Sequence, residues 1–327
     1  MKFSNKALLL CFVLVFFAFS GELLFGQVID ISALKDKGTL TPADKQKIEQ
    51  WVDNQLNNLS SVITKPLSSN YSASKRQRSV AGIIKNIVNA SKGGRAFRNV
   101  LLDSLGKRVL ADVDSVDIKV AAREVVLLVE LADVSFVDEF LSLLKADDAG
   151  IKCLAICGLE TLKGKLSADR KALIVEKVSQ IDGGDRQEVL TGQKYMLLAD
   201  MDNKAGFSVL VSSLKKRAAE YVKGGSGRFD ADRALVEAIG RIVNKLDSAN
   251  KKQVSDSLVE MLKVATGLIV GGKIPLADVR GRTEMLIYSI EETLSGITGK
   301  NKNLPVISAL KQVDYKKAEQ AISLWAK

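Results

Sequence analysis

The sequence predicts an all-α fold of stacked antiparallel helix pairs, an α-α superhelix, and three observations carry that prediction. Only four prolines (Pro42, Pro66, Pro275, Pro305) interrupt the 327 residues and aromatics make up 6%, a composition that favours long helices over short strands joined by tight turns. From Thr41 onward, apolar residues recur at three- and four-residue spacing between capping residues and glycine pairs, as an array of helices requires. Two segments also coincide on a shift of 33 residues: Ile118-Lys119 falls on Ile151-Lys152, Ala122 on Ala155, Val126 on Leu159 and Val129 on Leu162. A period of that size is the length of a helix pair, which implies a solenoid of about six or seven pairs.

Residues 1–26 read as a secretory signal. Lys2 and Lys6 supply a positive start, Ala7 to Phe19 is unbroken apolar sequence, and small residues stand before cuts after Ser20 or Gly26. An uncleaved anchor is the other reading of the same stretch, weakened by Gly21 and Glu22. Membrane contact is expected only through this segment, if it is retained. An exported chain is therefore expected, periplasmic or in the cell envelope or extracellular space. Residues 27–40 read as a linker.

Residues 41–111 form an N-terminal basic helical region. Thr41-Pro42-Ala43-Asp44 supplies an N-cap, a proline at the first helical position and an acid at the third, ahead of Ile48, Trp51, Val52, Leu56, Leu59 and Ile63 on one face. Further helices are predicted at 74–91 and 95–110, with Lys92-Gly93-Gly94 between them. The pairs at 183–184, 224–225 and 271–272 likewise fall between predicted helices, where glycine can adopt the left-handed conformation that ends one.

Residues 112–300 carry the repeat pattern. In the second copy Phe140-Leu141 and Leu143-Leu144 end one helix, Asp147-Asp148 makes a turn, and Ile151-Lys152 with Ala155, Gly158, Leu159 and Leu162 forms the next. Asp148 can accept a backbone N–H there, and Ala155 and Gly158 leave room for a neighbour. This stretch resembles a HEAT repeat of the armadillo-like helical-repeat class. The resemblance, specific for 114–163, implies a HEAT-like α-solenoid whose function is protein binding. Helices at 168–181, 185–200, 204–222, 230–246, 251–268 and 276–294 keep the amphipathic pattern with a degenerate consensus. Residues 301–327 read as capping helices, with Trp325 covering the last apolar layer; Leu294 to Gly299 with Ala318, Ala321-Ile322 and Trp325 is also similar to the tails of some exported bacterial HEAT-repeat proteins.

The formal net charge of +10 is concentrated. Between Lys75 and Arg108 stand nine basic residues against one acid, Asp103, a local net of +8. Such a field attracts an acidic protein or an anionic envelope polymer, and the expected binding residues are Lys75, Arg76, Arg78, Lys92, Arg95 and Arg98. Nucleic acid is the poorer fit, because Phe97 is the only aromatic in the run and no stacking platform results.

Catalysis is not expected. The absence of histidine excludes Ser-His-Asp and Cys-His mechanisms and removes the commonest metal ligand. Asp112, Asp114 and Asp117 read as the entrance of a helix, Asp147 and Asp148 as a turn, Asp200 and Asp202 as a helix exit, all explained by capping and solvation. Cys153 and Cys157, four apart on one helix, read as packing residues and not as a disulfide or a zinc site. Lys223 to Arg228 lacks the strand and the ending of a P-loop. The sequence thus predicts an exported, non-catalytic scaffold without cofactors. An assembly protein joined by apolar helix faces and a carboxylate-based envelope hydrolase are the alternatives.

Overall fold

The computed structural model describes residues 29–68, 71–181, 187–224, 227–274 and 276–325. The signal-like segment, Gly183-Gly184 and Gly225 lie outside them. Among the described residues the chain forms fourteen α-helices and no β-strand. They are α1 (Pro42–Thr64), α2 (Ala73–Ala90), α3 (Arg95–Asp112), α4 (Ile118–Leu131), α5 (Val137–Leu143), α6 (Ala149–Leu162), α7 (Ala168–Ser179), α8 (Glu188–Asp200), α9 (Lys204–Val222), α10 (Phe229–Ile242), α11 (Ser248–Val270), α12 (Ala277–Thr298), α13 (Pro305–Lys311) and α14 (Tyr315–Ile322). No helix among the described residues is long and apolar enough to cross a membrane. The chain divides into two compact units that part between Ala146 and Asp147.

In the first unit α1 packs against α2, α3 and α4, and α3 packs further against α4, α5 and the turn Val134–Phe136. The sequence explains how α1 starts. The Thr41 hydroxyl accepts the Asp44 N–H at 3.2 Å and the Asp44 carboxylate accepts the Thr41 N–H at 3.0 Å, a closed capping box with Pro42 in the first turn. Ile48, Val52, Leu56 and Leu59 of α1 then bury fully with Ile87, Phe97, Leu101, Leu105, Val125 and Leu128, each contributing about 1.5–3 kcal/mol. The stretch read as a linker contains the 3-10 turn Ser32–Leu34 and buries Ile31, Leu34 and Leu40.

In the second unit most contacts run between helices one or two places apart. One series is α6 on α8, α8 on α10 and α10 on α12; another is α7 on α9, α9 on α11 and α11 on α14. Gly192 and Gly240 permit the close approach within the first series, since a Cβ on them would lie 3.1 Å from Ala234 Cβ and 3.2 Å from Thr293 Oγ1.

Two sequence expectations are corrected here. The caps Asp117 and Asp148 are 31 residues apart, and a shift of 31 superposes the buried residues Val120, Val125 and Leu128 on Ile151, Ile156 and Leu159. The shift of 33 instead pairs exposed Ile118 with buried Ile151, because the repeated Ile-Lys pair directly follows the cap in one helix and stands two residues further in within the other. Asp148 itself caps as expected, accepting the Ile151 N–H at 3.0 Å. The glycine pairs also differ among themselves. Gly224 and Gly272 have φ of +79° and +61° at the ends of α9 and α11, whereas Gly93 provides space: a Cβ on it would lie 2.8 Å from Phe97 Cδ1.

The second unit closes on Glu291 of α12. This buried carboxylate accepts the Val306 N–H at 2.9 Å, the Ile307 N–H at 2.8 Å and the Trp325 indole N–H at 2.9 Å. It therefore caps α13 and fixes Trp325 in one stroke. Burial pushes its pKa up against these three donors. We predict that Glu291→Gln, which exchanges one acceptor for an N–H pair, costs about 2 kcal/mol. Unfolding followed by Trp325 fluorescence in a Trp51→Phe background tests this; an unchanged midpoint would refute the cap.

Candidate functional site

The site begins with α2. Ser72 caps it, accepting the Lys75 N–H at 3.3 Å, and Val80, Ile84, Ile87 and Ala90 face the core. On the opposite side, at spacings of three and seven, Lys75, Arg78 and Lys85 form an exposed stripe with Gly82, which has open space around it, and Asn89. α2 contains no acid. Lys75, Arg78 and Lys85 have no ion-pair partner among the described residues.

Arg76 differs from its neighbours. Its guanidinium donates to the Lys65 carbonyl and lies 6.0 Å from the centre of the Tyr71 ring, which Lys65 Nζ approaches at 4.7 Å. Lys92, just past α2, is exposed and donates to Asn89 Oδ1 at 3.3 Å.

Arg95 and Arg98 open α3 and line a cleft of about 430 Å³ with Asp103, Asp133 and Glu139. Arg95 is exposed without an acidic partner among the described residues, while Arg98 is ion-paired with Asp133. Glu139 lies over Gly106 of α3, where a Cβ would come within 2.7 Å of its Oε1. Burial pushes Glu139 up, with Asp138 and Asp103 adding to it against its own backbone N–H. Burial also pulls on Asp133, but the Ser135 N–H at 2.9 Å, the Ser135 hydroxyl and Arg98 hold it below the ordinary carboxylate range. A raised and a lowered carboxyl in one cleft is the arrangement an acid–base pair would need. Asp133, however, has its oxygens occupied by Ser135 and Arg98, which makes it a poor base.

The six expected binding residues thus fall into two groups. Lys75, Arg78, Lys92 and Arg95 are exposed and have no acidic partner among the described residues, whereas Arg76 and Arg98 are engaged within the unit. Sequence reasoning did not single out Lys85, although its spacing from Arg78 is the same as that of Lys92 from Lys85.

A buried acid cluster was also missed. Asp112, expected to cap a helix entrance, is the last residue of α3, buried and ion-paired with Arg108 at 2.8 Å; Asp117 is the cap. Beside Asp112 lies Glu124 of α4, 1% exposed, with neither oxygen receiving a hydrogen bond among the described residues. Burial, and then the Asp112 charge, push Glu124 up to about 8. The signal in the sequence was an acid in the apolar register of Val120, Ala121, Val125 and Leu128.

Cys153 and Cys157 are free and half-buried, and burial pushes the Cys157 thiol up to about 11. Among the described residues no three His, Cys, Asp or Glu side chains converge as metal ligands. Compared with protein-family models, curated proteins and solved structures, the chain matches none significantly.

Proposed function

We propose that the chain is an exported, non-catalytic helical-repeat scaffold that binds an acidic protein or an anionic envelope polymer through its basic N-terminal unit. Lys75, Arg78, Lys92 and Arg95, exposed without acidic partners among the described residues, carry this reading. A HEAT-like α-solenoid is supported by the two series of contacts in the second unit, by the Asp148 cap and by buried Ala155 and Gly158. The export reading rests on the signal-like residues 1–26.

Met285 and Tyr288, exposed on one face of α12, favour the alternative of assembly through apolar helix faces. Ionic strength separates the two, because exposed charge pairs are screened beyond about 8–10 Å in physiological salt and apolar contacts are not. We predict that cross-linked affinity capture from envelope fractions recovers an anionic partner, that capture falls steeply with added salt, and that Lys75→Glu/Arg76→Glu/Arg78→Glu loses it. Capture unaffected by both would sink the proposal in favour of apolar assembly.

A further inference from the structure

We infer that the Lys75–Arg78–Lys85 stripe of α2 is the contact surface for a linear, multiply charged anionic polymer. The inference rests on the binding reading above and names its residues and ligand class.

The argument starts from what the stripe costs the helix. The first turn of α2 holds Lys75 and Arg76 and no acid, although the positive end of the helix dipole favours acids there and penalises bases. Lys75 occupies the third helical position behind the Ser72 cap, where α1 places Asp44 to close its capping box. Several surface bases on other helices are offset one turn away by acids, as in Asp103–Lys107, Asp278–Arg282 and Arg280–Glu284, while α2 has only like charges at that spacing. On α2 the unfavourable first-turn bases and the like-charge pair Lys75–Arg78 occur together and no acid of the helix offsets them, which leaves these charges available to a partner.

The shape of the stripe selects that partner. Lys75 to Lys85 spans about 15 Å along the helix axis, uninterrupted across the open surface at Gly82, which matches a chain with charge repeated along its length. A bilayer surface fits less well: the apolar face of α2 is spent on α1 and cannot insert. An acidic protein would need an aromatic or aliphatic anchor at the centre of the contact, and the stripe has none.

The test uses the full chain and labelled short-chain inorganic polyphosphate as probe, with monophosphate and phosphatidylglycerol vesicles as comparisons. Polyphosphate binding with a log–log salt slope of about −2, from three charges at roughly 0.7 each, is expected, with much weaker binding of both comparisons. Lys85→Glu should weaken polyphosphate about tenfold, and Arg98→Ala should leave it unchanged. Lys75→Glu should weaken it similarly while raising the melting transition seen by Trp51 by about 2 °C, because it completes the capping box. Polyphosphate binding that survives Lys85→Glu, or that Arg98→Ala removes, would overturn the stripe and leave the broader reading intact. Vesicle binding as tight as polyphosphate binding would overturn the linear-polymer assignment. A lowered melting transition in Lys75→Glu would overturn the argument from helix electrostatics. A chain that binds none of these probes and captures no anionic partner would fail at the broader reading itself.

Discussion

Replacing Arg217 with alanine is expected to destabilise the second unit by about 3–5 kcal/mol. Arg217 of α9 is buried and holds Asp232 of α10 through two parallel hydrogen bonds, Nε to Oδ1 at 2.7 Å and Nη2 to Oδ2 at 2.8 Å. Asp232 also accepts the Tyr221 hydroxyl at 2.8 Å and the Arg228 N–H at 3.1 Å. Removing the guanidinium leaves a carboxylate that is 1% exposed with its counter-charge gone. The large effect therefore comes from the stranded acid more than from the lost attraction. Arg217→Met/Asp232→Leu should recover most of the loss, since replacing a buried pair by apolar groups is often near neutral. Urea unfolding read at Trp325 distinguishes these outcomes; a double variant as unstable as Arg217→Ala would show that packing, and not the stranded charge, dominates.

The second large effect is one of pH. Glu124 has a folded pKa near 8 against an ordinary 4.5, so between those values the folded chain binds a proton that the unfolded chain has released. Stability consequently falls as pH rises through that window, by about 4–5 kcal/mol in total. The groups facing Glu124 are Asp112 and Arg108 of α3, with Asp53 of α1 reaching Arg108 at 4.0 Å. Protonated, Glu124 can donate to Asp112; ionised, it places two carboxylates beside one half-exposed arginine. Glu124→Gln keeps a donor and removes the titration. It is expected to match the wild type near pH 5 and to exceed its stability above pH 8, as read by Trp51 in a Trp325→Phe background. Parallel pH profiles for the two proteins would refute the assignment.

Those two predictions come from residues that periodicity marks as exceptions without naming their partners. The helices and their starts were legible because capping is local chemistry: Thr41, Pro42 and Asp44 fix the start of α1 within four residues, and Asp148 does the same for α6. Glu124 and Arg217 sit in the apolar register of their helices, at the places where the pattern asks for a small or aliphatic residue. Their partners are close in sequence, at Asp112 and Asp232, but on a different helix in each case. No spacing rule connects them until the helices are packed. The basic segment was legible as a charge excess. Its division into free and engaged members was not, because the Arg98–Asp133 pair spans 35 residues and Arg76 is held by a backbone carbonyl. The seat of Glu139 over Gly106 was not legible either, because Gly106 reads in sequence as an ordinary helical glycine.

The contact order of the second unit has a kinetic consequence. From α6 to α12 each helix meets neighbours one or two places along the chain, so loop closure is short everywhere and no distant segment must be found first. Such a chain should form structure rapidly for its size, starting from any adjacent pair and growing in both directions. The α14 contact with α11 skips two intervening helices, and the Trp325 bond to Glu291 fastens the same end. Closing that end is therefore expected to be the last and slowest step of the unit's assembly.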